Sequence, residues 1–392
     1  MKDRFQYSPV HDDRLKVAHI IRVFSYGGAE ISLKELLAST VFKENCISDL
    51  HILDHKKLDL VKDAKANTRN IYHYKITSVF FLFEYIRFLI KIISGRYHIV
   101  HMHLPVAGWM GIIAKLFCPG TKFIYTEHSL ISFYKKYNYY LSGLAYRYND
   151  AVISVSEEVS FEIKSFKTSL LYKRKNAITI LNGVNTDKFS PCKSKEKEPK
   201  KLIVGLVARL RMHKRVDRWI EIANEIHKRR KNIQFIIFGD GPDFNSVKKR
   251  ITEKNLENII RLAGKTHDTP NAYKQIDIFL LTSELEGLPL SLMEAMSCGC
   301  VPVVNNVGGI KQLNFSNTGF KFDEFNSASI AEKIIEYIKQ PGKLFLESEN
   351  ARAYALQTYS LTKQANEIIN LYRQLAFNKY AHDILQKAKQ AC

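Results

Sequence analysis

The stretch Ser283-Glu284-Leu285-Glu286-Gly287-Leu288-Pro289-Leu290-Ser291-Leu292-Met293-Glu294-Ala295-Met296 sets two carboxylates eight positions apart across a Gly-x-Pro helix start. Just before it, Asp277-Ile278-Phe279-Leu280-Leu281 reads as a buried parallel strand. Pro289 suits the first turn of the helix that follows, where a missing N–H costs nothing. The pattern therefore puts Glu286 in the loop at the strand's C-terminal end and Glu294 more than a turn into the helix. In open α/β sheets ligands collect at that end of the strands, and free helix N–H groups attract phosphate. Two acceptor-only carboxylates placed there suit the hydroxyls of a sugar and of a ribose.

Working outward, apolar strand-like runs recur at 15–23, 98–101, 122–125 and 151–155, and again at 202–207, 233–238, 259–262, 277–281 and 301–304, with helical patterns between them. Alternation of this kind predicts α/β architecture, with parallel sheets covered on both faces. The two series are parted by Ser190-Pro191-Cys192-Lys193-Ser194-Lys195-Glu196-Lys197-Glu198-Pro199-Lys200, too charged to be buried. At 392 residues two domains are the default. The expected division is a Rossmann-like domain over 1–190, a linker over 191–201 and a second Rossmann-like domain over 202–360, the two facing across a cleft. A C-terminal helical region, 361–392, would pack back on the first domain.

Composition narrows the partners. With 25% charged and 46% hydrophobic residues the chain is of ordinary globular type. Net charge is +20, shared as +10 by residues 1–190 and +10 by 191–392, so neither half is the basic one. Such a field favours anionic partners: nucleotide diphosphates, anionic lipid surfaces or nucleic acid. Nucleic acid ranks last, because the sequence carries no helix-turn-helix, RRM or zinc-finger pattern. The first residues are charged and show no secretory leader, and the six cysteines lack metal-ligand spacing. Reduced thiols and a cytoplasmic location are expected. The most apolar run, 76–93, is interrupted by Glu84, Arg87 and Lys91 on one helical stripe, which argues against a membrane span. It reads as a core helix packed under the next strand, in preference to a helix lying on a membrane.

Further groups gather at strand ends. Gly27 and Gly28, after the first strand, either let backbone N–H groups approach a phosphate or simply make a tight turn. The G-x-G-x-x-G spacing of a dinucleotide fold is not there. Arg209 and Lys214 follow the strand at 202–207, where they would meet a diphosphate as it leaves; the plain alternative is a solvated basic loop. Gly239-Asp240-Gly241-Pro242 and Gly308-Gly309 offer backbone cradles or ordinary turns, and Lys265 follows Gly264. His103 and His128 end strand-like runs and could bond a sugar hydroxyl or carry a proton. His101 and His103 share one strand face, yet no third ligand is evident, so no metal is expected. Tyr134 and Lys135 belong to an aromatic-lysine cluster fit for a saccharide or a membrane interface, or equally for a part-buried helix with lysines outward.

Taken in order, these motifs resemble family 4 of the retaining glycosyltransferases, which have the two-domain GT-B fold. The likeness runs through nearly the whole chain: Gly27-Gly28-Ala29-Glu30, His103, the segment ending at Ser129, Asn182-Gly183-Val184-Asn185 with Phe189, Arg209 and Lys214, Gly239-x-Gly241-Pro242, Glu286 to Glu294, and Gly308-Gly309. The resemblance implies that Glu286 touches the donor sugar and Glu294 the ribose, and that Arg209 and Lys214 hold the diphosphate. Gly308 and Gly309 would frame the donor and His128 would lie beside the transferred sugar. Gly27, Gly28, Gly239, Gly241, Lys265, Gly287 and Leu288 complete the expected donor site; His103, Tyr134 and Lys135 are the acceptor-side candidates. The implied enzyme needs no cofactor or metal. It moves a sugar from a UDP- or GDP-sugar to an acceptor hydroxyl, in surface polysaccharide assembly (lipopolysaccharide, O-antigen or capsule), on a lipid-linked or saccharide acceptor at the inner face of the cytoplasmic membrane. Rivals on the same fold are a sugar-nucleotide 2-epimerase, a phosphorylase, and a non-catalytic nucleotide-sugar-binding subunit. Three positions depart from the family pattern: Gln312 for glutamate, Asn185 for aspartate and Arg215 for glycine.

Overall fold

Apolar runs such as Leu202–Val207, Ile233–Phe238 and Ile278–Leu281 have almost no polar residue to turn toward water, and they form strands largely buried on both faces. The computed structural model describes residues 13–55, 58–166, 177–191 and 202–390, and side chains as far as Phe377 apart from that of Phe133. The expected linker at 191–201 lies almost wholly outside the described residues, as do Cys192 and Cys392.

Among the described residues thirteen strands build two parallel sheets. The first holds β1 (Leu15–Ile21), β2 (Cys46–Ile52), β3 (Asn70–His73), β4 (Ile99–His103), β5 (Lys122–Glu127), β6 (Ala151–Ser154) and β7 (Ala177–Thr179), in the order β3-β2-β1-β4-β5-β6-β7. The second holds β8 (Leu202–Val207), β9 (Ile233–Phe238), β10 (Ile260–Gly264), β11 (Ile278–Leu281), β12 (Val301–Asn305) and β13 (Phe320–Phe322), in the order β10-β9-β8-β11-β12-β13. Each sheet reverses its strand order once, between β1 and β4 and between β8 and β11. Those are the switch points at which loops splay apart and ligands enter.

Four strands fall outside the runs singled out from sequence. β2 buries Asp49 and His51 among its apolar residues, which breaks the apolar signal. β3, β7 and β13 are short outer strands with part-exposed residues. By contact the chain parts into two units, residues 1–125 with 148–151 and 365–392, and residues 126–147 with 152–364. In the first, Tyr372 of the helix Leu361–Gln390 lies 2.5 Å from Nδ1 of His101, and Phe377 faces the ring of His98. In the second, Val184 N–H donates to Tyr359 at 2.7 Å, and Gly183 N–H donates to the side chain of Gln364.

The run at 76–93 departs from the reading as a core helix. The helix Phe81–Ser94 buries Glu84, Tyr85, Phe88 and Ile92, so the carboxylate faces inward, where Arg87 pairs with it at 2.8 Å. The opposite face is apolar and exposed. No helix among the described residues is long and apolar enough to cross a membrane.

Candidate active site

Loops at the C-terminal ends of β8 to β12 carry the candidate groups. Beyond β11 the chain turns through Thr282 to Pro289 before the helix Leu290–Ser297, and Pro289 stands as its N-cap (φ −72°), one position earlier than the sequence pattern suggested. Glu286 is 8% exposed, and Lys214 donates from Nζ to its Oε1 at 2.5 Å. The Thr282 hydroxyl ties the two loops together by donating to the carbonyls of Lys214 and Arg215, and Glu284 N–H donates to the His213 carbonyl at 2.8 Å. The ion pair therefore rests on a backbone scaffold rather than on two long side chains.

Arg215 adopts a left-handed conformation, φ 46° and ψ 49°, at the start of helix Val216–Arg229. That explains why glycine is usual there; a side chain costs about 1 kcal/mol in this region. Ion pairs from Arg215 to Asp217 at 3.0 Å and to Glu284 at 3.3 Å offset that strain. Further along, Glu294 accepts at 2.7 Å from the hydroxyl of Tyr273, a fully buried side chain that no motif singles out. Burial and the neighbouring carboxylate push the Tyr273 phenol far above its usual range, so it stays a donor and holds Glu294 in place.

The glycines owe their presence to neighbouring carbonyls. A Cβ on Gly239 would fall 1.9 Å from the Ala208 carbonyl oxygen, and one on Gly241 would fall 2.3 Å from that of Leu210. The Gly239-Asp240-Gly241 turn thus closes on both sides of Arg209, while Leu210 N–H donates to Asp240 and Gly239 N–H donates to Gly264, the residue before Lys265. Arg209 and Lys265 are both exposed. Gly308 has φ +50°, its Cβ would lie 1.7 Å from the Glu286 carbonyl oxygen, and Gly309 N–H donates to that same carbonyl at 3.1 Å. Gly308→Ala should therefore push the Glu286 loop out of place, lowering stability by about 1–3 kcal/mol and weakening donor binding about tenfold or more. Gly287→Ala, whose Cβ would find only the His128 carbonyl at 3.7 Å, should fold normally. Urea midpoints and nucleotide-sugar titrations of the two variants check the contrast; equal midpoints would count against it.

His128 follows β5, and its backbone approaches the Glu286-Gly287 loop. Burial depresses its pKa to about 4, so the imidazole is neutral at pH 7 and meets a hydroxyl as a hydrogen-bonding group rather than as a charged acid. Next to it Glu127, fully buried, accepts from the hydroxyls of Tyr134, Tyr146 and Ser142 and from Ser129 N–H. This carboxylate went unassigned in the sequence reading, although it stands beside His128. Tyr134 thus directs its hydroxyl to Glu127, while Lys135 is exposed. Leu288 packs in the core of the second sheet, and its side chain faces that core. Gln312 accepts from Glu157 N–H at 2.8 Å and so caps the helix Glu157–Ser165.

In the first sheet Gly27 is the N-cap and Gly28 the first residue of helix Gly28–Ala38; a Cβ on Gly27 would strike the Glu30 carboxylate. His103 is 3% exposed and its Nε2 lies 3.3 Å from Nδ1 of His19. His19 supplies the third imidazole that spacing alone did not show: His19, His101 and His103 place one ring nitrogen each within 4.8 Å of one another, the group among the described residues with metal-ligand geometry. The same three rings pack against one another, and His101 is also paired to Tyr372.

Known proteins agree with this architecture. The pattern described as Glycosyl transferases group 1 matches residues 189–357, and that described as Glycosyltransferase Family 4 matches 53–188. The UDP-Gal:alpha-D-GlcNAc-diphosphoundecaprenol alpha-1,3-galactosyltransferase of Escherichia coli is 27% identical over 307 residues, 72% of this chain and 77% of that protein. The lipopolysaccharide core biosynthesis mannosyltransferase LpsB of Rhizobium meliloti (strain 1021) is 24% identical over 211 residues, 50% of this chain and 60% of that one, less than two thirds of its length. Anabaena HepE, solved with UDP and glucose, superposes with a TM-score of 0.76 at 19% identity, over 91% of this chain and 99% of its own. A glycosyltransferase from Rickettsia africae ESF-5 superposes at 0.75 with 21% identity, over 93% and 99%. At those identities the likeness speaks for the fold, two parallel-sheet domains of the GT-B type. With both family patterns matched in order along the chain, the protein belongs to the family 4, group 1 glycosyltransferases.

Proposed function

We propose that the chain transfers a sugar from a UDP- or GDP-sugar to an acceptor hydroxyl, with retention of anomeric configuration and without a metal ion. The observation that carries the reading is the Lys214–Glu286 pair at 2.5 Å, held on backbone at the β8/β11 switch point and braced by Gly308-Gly309. Lys214 and Arg209 stabilise the diphosphate as it gathers charge on leaving, and Glu286 accepts from the donor sugar. Glu294, fixed by Tyr273, accepts from the ribose. Neutral His128 bonds the transferred sugar. The donor phosphate assists deprotonation of the acceptor on the face from which it departs. Glu286 is not assigned as a nucleophile, since a double displacement needs two carboxylates about 5–5.5 Å apart around the scissile bond, and Glu294 is held by Tyr273.

The acceptor reading is a saccharide or lipid-linked intermediate of surface polysaccharide, used at the cytoplasmic membrane face. It is supported by the Escherichia coli and Rhizobium meliloti relatives, one a galactosyltransferase to a diphosphoundecaprenol-linked sugar and one a mannosyltransferase of lipopolysaccharide core biosynthesis. Division into an acceptor-side domain over 1–190 and a donor-side domain over 202–360 belongs to the same proposal. Thermal shift in EDTA with UDP-, GDP-, ADP- and CMP-sugars tests it: one nucleotide class should stabilise the protein by about 2.7 kcal/mol at a hundredfold excess over Kd. No stabilisation by any of them would overturn the donor assignment.

A further inference from the structure

We infer that the outer face of helix Phe81–Ser94, with the turn before it, is a docking surface for an anionic lipid bilayer. Leu82, Phe83, Ile86, Ile90 and Ile93 form one stripe at helical spacing, opposite the buried Tyr85, Phe88 and Ile92. Their exposures run from 40% to 68%, and Val79 and Phe80 in the preceding turn stand at 95% and 67%. A helix that is apolar on both faces has the second face for something other than its own core. The neighbouring helix Leu104–Leu116, joined to it through the Tyr85 hydroxyl and the Met110 carbonyl, ends in Ile113, Leu116 and Phe117, also exposed.

Charge decides the occupant. Across 75–96 and 104–122 the only acidic residue is Glu84, which is buried and paired with Arg87. Lys75, Arg87, Lys91 and Arg96 are exposed along the same segment. Arg87 and Lys91 run down one flank of the apolar stripe, over the rings of Tyr74 and Tyr72. An apolar face edged by cations fits the boundary between acyl chains and anionic headgroups. A second copy of this chain would bring the same cations against one another, on a protein of net charge +20. For its purpose the inference rests on the reading of a membrane-borne acceptor; its geometry does not.

The test is co-sedimentation of the full chain with vesicles of phosphatidylcholine alone and of phosphatidylcholine mixed with phosphatidylglycerol. The protein should pellet with the mixed vesicles only. The variant Leu82→Ser/Phe83→Ser/Ile86→Ser/Ile90→Ser should bind them about tenfold more weakly or worse. Lys75→Glu/Lys91→Glu should weaken binding and remove much of its salt dependence. Equal melting temperatures and equal nucleotide-sugar stabilisation in the variants keep a folding defect, or failure of the donor assignment, separate from loss of docking. Wild-type protein that stays in the supernatant, or a serine variant that binds unchanged, overturns the inference. So does a dimer in solution that the serine substitutions convert to monomer without change in vesicle binding.

Discussion

Glu286→Gln is expected to slow sugar transfer by about 10²–10³-fold, ~3–4 kcal/mol of barrier, with thermal stability close to that of the unaltered protein. Glutamine has the same shape and keeps one carbonyl oxygen for the Lys214 ammonium, so packing at this 8%-exposed position survives. What disappears is a negative charge 2.5 Å from Lys214, in a loop whose backbone is fixed by Gly309 N–H. In the proposed role that charge faces a sugar that turns cationic as its diphosphate leaves, so its loss falls on kcat. Glu294→Gln should behave differently, because the remaining oxygen can still accept from Tyr273 while the contact with ribose weakens. KM for the donor should rise about tenfold with kcat nearly kept. Steady-state kinetics on both variants reads this split, and wild-type rates in both would remove Glu286 and Glu294 from the site.

The loop between β11 and the helix Leu290–Ser297 was legible because local chemistry and topology point the same way. The apolar strand at 277–281, the glycine and the proline announce a strand-loop-helix unit, and the structure has that unit. Apolar runs mark β8 to β12, while β13, with only Phe322 buried, carries no such run. Less legible were contacts that join distant positions. Tyr273 reaches Glu294 from another helix, and His19 joins His101 and His103 from β1, and no spacing rule connects either pair. β2 was hidden because Asp49 and His51 sit inside it, bonded to Arg69, Tyr74 and Tyr97, residues far along the chain. The helix Phe81–Ser94 shows the opposite difficulty: periodicity located its charged stripe, but an apolar residue carries no mark of which side will be covered.

Buried imidazoles should make the protein acid-sensitive well above the range of its carboxylates. His19 is enclosed by His101, His103 and Phe42, and His51 by Tyr72, Tyr74, Tyr97 and Phe88. Burial lowers both pKa values to about 3, with charge from His51 acting on His19; at His51 the Asp49 carboxylate opposes the shift and Lys91 adds to it. Unfolding returns both rings to about 6.5. The sign follows: between pH 6.5 and 3 the unfolded chain binds more protons, so this contribution is whole above pH 6.5 and declines as pH falls toward 3. At pH 5 each ring should have cost about 2 kcal/mol, and together on the order of 4, against a total of roughly 5–15 for a folded domain. Asp49, burial opposing but hydrogen bonds from Arg69 and Tyr97 prevailing, has a lowered pKa and adds a further loss below the normal carboxylate range. Urea unfolding from pH 8 to pH 5 should show the midpoint falling steeply below pH 6.5, and His51→Gln should flatten the slope by about one proton. A midpoint constant between pH 7.5 and 5 would overturn the depressed pKa values of these two rings.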